Sequence, residues 1–232
     1  MTLTMARILP PAGLIGRWTF YSSRYGFIHA ACRYLFSRFP AGWRYVGPLV
    51  TAPYRRRWLA TSARRIINLG GGGNALEGCL TVDIDPRADC YADLTNRLPF
   101  DDDSIDAIFC EEAIEHIPKA AGTSLLLECM RVMRPGAIMR ITTPDLDYLA
   151  STLGEEGGND EINRMFYEHG HRYIYSRSAL KRACVNAGFE QVWHSFSQDR
   201  ASQLGYLDTH VQRYGYKPEM AQFVEMIKPL RT

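Results

Sequence analysis

Residues 66–85 read IINLGGGGNALEGCLTVDID. Four consecutive glycines follow a short apolar run, and a second apolar run closes on Asp83 and Asp85. Apolar runs of this length bounded by glycine read as buried strands. Parallel strands bind ligands at their carboxyl ends, where the Gly70–Gly73 loop would lie. Glycine permits positive φ and lets the backbone approach a ligand closely. Asp83, closing the second strand, is placed to accept hydrogen bonds from both hydroxyls of a ribose. Taken alone, the glycine cluster reads equally well as a tight turn between strands.

Spacing narrows the cofactor. Gly70-x-Gly72-x-x-Ala75 fits the dinucleotide fingerprint only loosely. Asp83 follows Gly70 by 13 residues, where that pattern places its acid about 20 residues on, after a full helix. No G-x-x-x-x-G-K-[ST] loop occurs either. A cofactor without phosphates fits better, and S-adenosyl-L-methionine (SAM) is the common one.

Beyond this stretch strands alternate with helices, which predicts a mainly parallel sheet covered on both faces. "CYAD" (90–93), "IDAIFC" (105–110) and "AIMRITT" (137–143) read as further strands, and "FEQVWHSF" (189–196) and "AQFVEMI" (221–227) as the last two. Apolar stripes place helices at about 119–134 and 178–187, and a third from about Pro144. The expected fold is a three-layer α/β sandwich, mostly parallel with an antiparallel last strand, over residues 64–232. Residues 1–63 form an N-terminal helical extension, cut by prolines into pieces near 20–38 and 54–63.

Composition excludes several classes. With 46% apolar and 22% charged residues the chain is ordinary for a globular protein. No uninterrupted apolar run of about 18 residues is present to span a membrane. The six cysteines form no C-x-x-C pair and read as small buried hydrophobes in a reducing compartment, the cytoplasm. No metal site is expected. The acidic run Asp101–Asp103 reads as a solvated turn, and His194 as a structural residue of its strand.

Charge is distributed unevenly. Residues 1–76 hold eleven arginines and no acidic residue, leaving 16 basic against 25 acidic residues in the remainder. Residues 1–60 also hold twelve of the 27 aromatics. Three readings stand: a peripheral contact with an anionic membrane surface, an aromatic lid whose arginines clasp an anionic or lipid-linked acceptor, or an organellar transit peptide. The segment lacks a motif that reads bases, so sequence-specific nucleic-acid binding is not expected.

Four stretches together, "INLGGGGNALEGCLTVDIDP", "ADLTNRLPFDDDSIDAIFCEEAIEHI", "RVMRPGAIMRITTPDLDYL" and "HRYIYSRSALKRACVNAGFEQV", resemble the class I SAM-dependent methyltransferases of the methyltransferase type 11 kind. Within these the likeness is to bacterial enzymes of glycan and polysaccharide biosynthesis, and it covers roughly residues 64–228. The resemblance implies that Asn68, Gly70, Gly71 and Gly72 lie against the methionyl part of SAM. Asp83 would hold the ribose, with Ile84 beside it, and Asp93 and Leu94 the adenine. Cys110 and Glu111 would lie beside the methyl group, and Glu115 and His116 would be structural. The expected activity is O-methylation of a sugar or other hydroxylated small molecule. Alternatives are methylation of a lipid or secondary metabolite on O, N or C, and a non-catalytic SAM-fold binding protein. A hydroxyl acceptor requires a base, and "FYEHGHRYIY" offers His171 first and His169 next, with Asp145 of "TTPDL" third. A histidine that merely holds this loop to the sheet remains an equal reading.

Overall fold

The computed structural model describes residues 10–209, 211 and 217–230. Seven strands form one sheet in the order β3-β2-β1-β4-β5-β7-β6. These are β1 (Ile66–Leu69), β2 (Cys79–Asp83), β3 (Cys90–Tyr91), β4 (Ile105–Glu111), β5 (Met133–Pro144), β6 (Glu190–Ser195) and β7 (Ala221–Ile227). Every neighbouring pair from β3 through β5 is parallel, and β7 runs antiparallel to both β5 and β6. Strand order reverses between β1 and β4, so a ligand-binding crevice opens above their carboxyl ends.

One face of the sheet is covered by helices. Ile67, Leu80, Ile108, Met139 and Val224 pack there against Leu125, Leu126 and Cys129 of α4 (Lys119–Val132) and Leu180 and Cys184 of α7 (Arg177–Asn186). The opposite face is covered differently. The β1–β2 and β2–β3 connections contain no helix, so Leu76 of the first and Leu204 and Leu207 of the β6–β7 connection close over Ile66, Cys79, Phe109 and Ile138. The 13-residue spacing foretold the missing helix, but not that a returning loop would supply this layer.

A buried ion cluster fastens that loop. Arg140 of β5 is fully buried and donates through Nε and Nη2 to Asp208 at 2.8 and 2.6 Å, and through Nη1 to Glu225 at 2.5 Å. Its Nη2 also meets the Phe196 carbonyl at 2.8 Å. Five donors in a planar fork suit arginine to such a site. The residues had carried no signal, because all three lie in otherwise strand- or loop-like sequence.

The extension departs from expectation in its pieces. It forms α1 (Leu14–Tyr25), α2 (Phe27–Phe36) and α3 (Trp43–Thr61), with α1 and α2 parted at Gly26, whose φ of 88° is the left-handed value glycine tolerates. Pro48 and Pro53 sit inside α3 rather than ending it. Packing overrides their propensity. Gly47 lies so close to Tyr91 that a Cβ there would stand 2.7 Å from the ring, and the Thr51 hydroxyl accepts from the Tyr91 amide at 3.1 Å. Tyr54, Trp58 and Leu59 then join the main core. Residues 1–9 of the extension lie outside the described residues. Among the described residues no helix is long and apolar enough to cross a membrane. All six cysteines are free, and all but Cys32 are buried. The Asp101–Asp103 turn is not wholly solvated: Lys228 Nζ holds Asp103 at 2.6 Å and Arg131 holds Asp102 at 2.7 Å.

Candidate active site

The glycine loop and Asp83 form one unit. The Asp83 carboxylate accepts from the Gly72 amide and the Asp85 amide, each at 2.8 Å. Gly70 and Gly72 take φ of 70° and 51°. A Cβ on Gly70 would stand 2.2 Å from that of Ala113, and one on Gly71 2.3 Å from Asn68 Nδ2. These two glycines are therefore required by the fold itself. Gly72 differs: the nearest atoms to a Cβ there are carboxylate oxygens of Asp83 and Asp85 at 3.9 Å. Burial pushes the Asp83 carboxyl up, against the two amides that stabilise its charged form.

Other expected contacts sort by where their side chains go. Asn68 is buried and its Nδ2 donates to the Asn74 carbonyl at 3.2 Å, so it braces the glycine loop. Ile84 presents an exposed apolar side chain next to Asp83. Leu94 lies against Gly70, its Cδ1 3.6 Å from the position of a Cβ there. Asp93 caps its own turn, accepting from the Thr95 amide and hydroxyl and from Asn96 Nδ2. Cys110 corrects the expectation. It is fully buried in the core, so only its backbone reaches the strand end. The Glu111 carboxylate holds the amide and hydroxyl of Thr209 at 2.7 and 2.6 Å, tying the β6–β7 connection to the rim of the crevice.

Beyond β4 the chain turns sharply. Glu112 has φ of 53°, an uncommon value for a side-chain-bearing residue, costing about 1–3 kcal/mol. This turn leads into Glu115 and His116. The Glu115 carbonyl accepts the amides of Arg172 and Tyr173 at 2.7 and 3.1 Å, which draws the 168–175 loop onto it. His171 is thereby brought ring-to-ring with His116 at 4.7 Å and with His169 at 5.8 Å. Burial, with the neighbouring His116 and His169, lowers the His171 pKa to about 4. His171 Nδ1 is buried without a partner. His116 is likewise lowered, chiefly by burial, and it also feels the Asp83 charge. His116, at the turn after β4, therefore stands within electrostatic reach of the ribose-type carboxylate.

Glu115 completes the group. Its Oε2 accepts from the Thr143 hydroxyl at 2.9 Å, and burial raises its pKa. One ligand atom each of Glu115, His116 and His171 lie within 4.8 Å of one another, a set able to hold a cation. The sequence reading gave Glu115 and His116 a structural role and foresaw no metal set. A separation of 55 positions between His116 and His171 hid their meeting.

Asp145 does not join this cluster. It is fully buried, caps α5 (Leu146–Ser151) by accepting from the Asp147 amide, and is held by Arg177 Nε at 2.6 Å. Both oxygens are spent on structure, so Asp145 is no base. His194 lies on β6, the edge strand farthest from β1 and β4, on the carboxyl-side half of the strand, and burial lowers its pKa.

Residues 74–141 match the methyltransferase domain family. No curated protein matches the chain. Among solved structures, a SAM-dependent methyltransferase from Archaeoglobus fulgidus superposes with a TM-score of 0.51 at 18% identity, covering 83% of this chain and 99% of that one. Haemonchus contortus phosphoethanolamine N-methyltransferase 2, solved with phosphomonomethylethanolamine and S-adenosylhomocysteine, gives a TM-score of 0.50 at 14% identity. There 92% of this chain is covered, and it spans 57% of the other. At such identities the likeness speaks for the fold. Fold and domain match together define a methyltransferase enzyme. Its cofactor is SAM. The residues fit that group: at Gly72 nothing stands closer than 3.9 Å to a Cβ position beside the carboxylate, and Ile84 offers an apolar surface next to it.

Proposed function

We propose that the protein methylates a hydroxyl oxygen of a sugar, glycan or similar hydroxylated small molecule. When bound, SAM supplies a methyl group already activated on a sulfonium. In this reading Gly70–Gly72 and Asn68 shape the wall for its methionyl end, Asp83 takes the ribose hydroxyls, and Asp93, Ile84 and Leu94 take the adenine. The observation that carries the choice of oxygen is the histidine cluster. A hydroxyl must lose its proton as it is methylated, and a positioned base contributes typically ~10²–10⁴ in rate. His171 is held neutral by its surroundings, so a ring nitrogen has its lone pair free at neutral pH, and because burial disfavours the charged ring a proton taken there must be passed on. His116, ring-to-ring with His171 at 4.7 Å and half exposed, can relay that proton. His169, exposed on the same loop, is the second candidate.

The test is methyl transfer from labelled SAM to a panel of mono- and oligosaccharides, with phosphoethanolamine and a phospholipid as the nitrogen and lipid arms. Transfer to the saccharides, reduced about 10²-fold or more by His171→Ala with SAM affinity unchanged, supports the assignment. Equal turnover in that variant would move the role to His169 or dispense with a base. Transfer only to the amine would favour the N-methylating alternative. Activity lost to a chelator and restored by a divalent ion would instead assign Glu115, His116 and His171 to a cation.

A further inference from the structure

The N-terminal helices turn their polarity inside out. The inward face of α1 and α2 carries Tyr25, His29 and Arg33, all buried. Tyr25 donates to Asp89 Oδ1 at 2.5 Å, Arg24 lies 3.9 Å from the same carboxylate, and Arg33 Nη1 reaches the Ala88 carbonyl at 2.9 Å. Asp89 in turn holds the Thr81 amide of β2 at 3.0 Å. The outward face is apolar: Ile15, Phe27, Ile28, Leu35 and Phe39 are between 51% and 82% exposed. Trp18, one-third exposed, stands edge-on to Phe27 at 5.2 Å and joins the two helices into one surface. A helix that folds only against its own domain buries its apolar stripe and exposes its charges. This one does the reverse, and a contiguous exposed apolar patch marks an interaction site.

Charge decides the occupant. Arginines rim the patch: Arg17 and Arg38 are exposed, Arg38 lies 4.8 Å over Tyr34, and Arg44 lies 4.7 Å over Tyr45 of α3. No acidic residue occurs in residues 1–76 to balance them. A second copy of the chain would set these arginines against their own counterparts, because a two-fold interface pairs a patch with itself. An anionic bilayer opposes them with phosphates, while aromatic and aliphatic side chains enter the headgroup boundary. We propose that the outer face of α1 and α2, with the rim arginines, docks the protein peripherally on an anionic membrane surface. The inner face of the same helices is anchored next to the crevice: Tyr25 holds Asp89 and Arg87 grips Asp85 through Nη2 at 2.7 Å, both in the connection that follows Asp83. An acceptor presented at the bilayer surface, such as a lipid-linked glycan, would meet the enzyme on this side.

Full-length protein is sedimented with vesicles of phosphatidylcholine alone and with 30% phosphatidylglycerol, at low and at about 0.5 M salt, where the Debye length falls below ~8 Å. Binding is expected only with the anionic vesicles at low salt, and salt should weaken it. Arg17→Gln, Arg38→Gln and Arg44→Gln together should lower the partition by roughly 10²-fold, at about fivefold for each arginine near an anionic surface. Phe27→Ser with Ile28→Ser and Leu35→Ser should lower it at least tenfold, since each buried CH₂ contributes roughly fourfold. All six positions are exposed, and unchanged circular dichroism verifies that the variants fold. Failure of the wild type to pellet at low salt would overturn the proposal. So would an apolar variant that binds undiminished, because adhesion would then be charge alone. Light scattering that shows a dimer abolished by the apolar variant, with no vesicle binding, would assign the face to a second copy.

Discussion

Asp83 can be removed with a predictable consequence. Each of its oxygens already accepts one backbone amide at 2.8 Å, from Gly72 and from Asp85. A carboxylate has about four lone-pair positions, so two remain for a vicinal ribose diol. Hydrogen bonds to a charged group contribute about 1.5–3 kcal/mol each. Part of that gain is offset by the desolvation that already raises this carboxyl's pKa. The net loss expected for Asp83→Ala is therefore about 1.5–3 kcal/mol, or on the order of 10- to 150-fold in the Kd for SAM. Asp83→Asn should recover little, because its NH₂ group would face one of the two amide donors. The sign of the pH effect follows from the raised pKa. The diol needs the charged form, so affinity should fall as pH drops through a value above the ordinary aspartate range, sooner than for an exposed aspartate. Isothermal titration calorimetry with SAM between pH 4.5 and 8 measures both effects, and NAD serves as the negative control. An alanine variant that binds SAM within about threefold of wild type would reduce Asp83 to a cap of the glycine loop. Wild type that binds NAD and not SAM would overturn the cofactor assignment altogether.

Three further perturbations have definite outcomes. Gly70→Ala should weaken SAM binding about tenfold or more, since it adds a 2.2 Å clash with Ala113 to an unfavourable φ of 70°. Gly78→Ala, at φ of 76° but with open space around it, isolates the strain alone and should leave binding intact. Arg140→Met leaves Asp208 and Glu225 buried and unpaired, which should cost about 3–5 kcal/mol and lower the Tm by on the order of 10 °C in calorimetry. If the Tm does not move, the cluster is not what fastens the returning loop. Finally, kcat/KM should hold level as pH falls through 6.5 and lose its basic group only near a pH of about 4, the value to which burial lowers His171. An acid limb at the ordinary histidine pKa would place the proton acceptor on a less buried ring.

The sheet was readable because burial imposes a period on sequence. β7 lies at residues 221–227 as expected, and β4, β6 and α7 fall within two residues of their expected ends. The glycine loop was equally legible, since Gly70, Gly72 and Asp83 lie close together in sequence and the Gly72 amide closes the loop on the Asp83 carboxylate. What failed did so for reasons of distance or context. Asp145 looked like an available acid, yet its carboxylate is consumed by an α5 cap and by Arg177, 32 residues away. That His116 meets His171 could not be read because the two belong to different loops. Cys110 sat correctly at the strand end, but alternation along β4 points its thiol into the core.

The same reasoning changes the status of the N-terminal extension. Helix-free connections after β1 and β2 leave the β1–β2–β3 edge without crossover cover of its own. On the helical face α3 takes that place, through Gly47 and Thr51 on β3 and Trp58 in the core. Asp89, buried beneath α1 and α2, would lose its Tyr25 donor if these helices were absent. A segment removed on import would therefore have to end before Tyr25, because cleavage near residue 63 would strip apolar core and leave a buried carboxylate short of a partner. Residues 1–63 and 64–232 thus read as two regions of sequence that share one core. The extension contributes structure through its inner face, which frees its outer face to be judged by what it would meet outside the molecule.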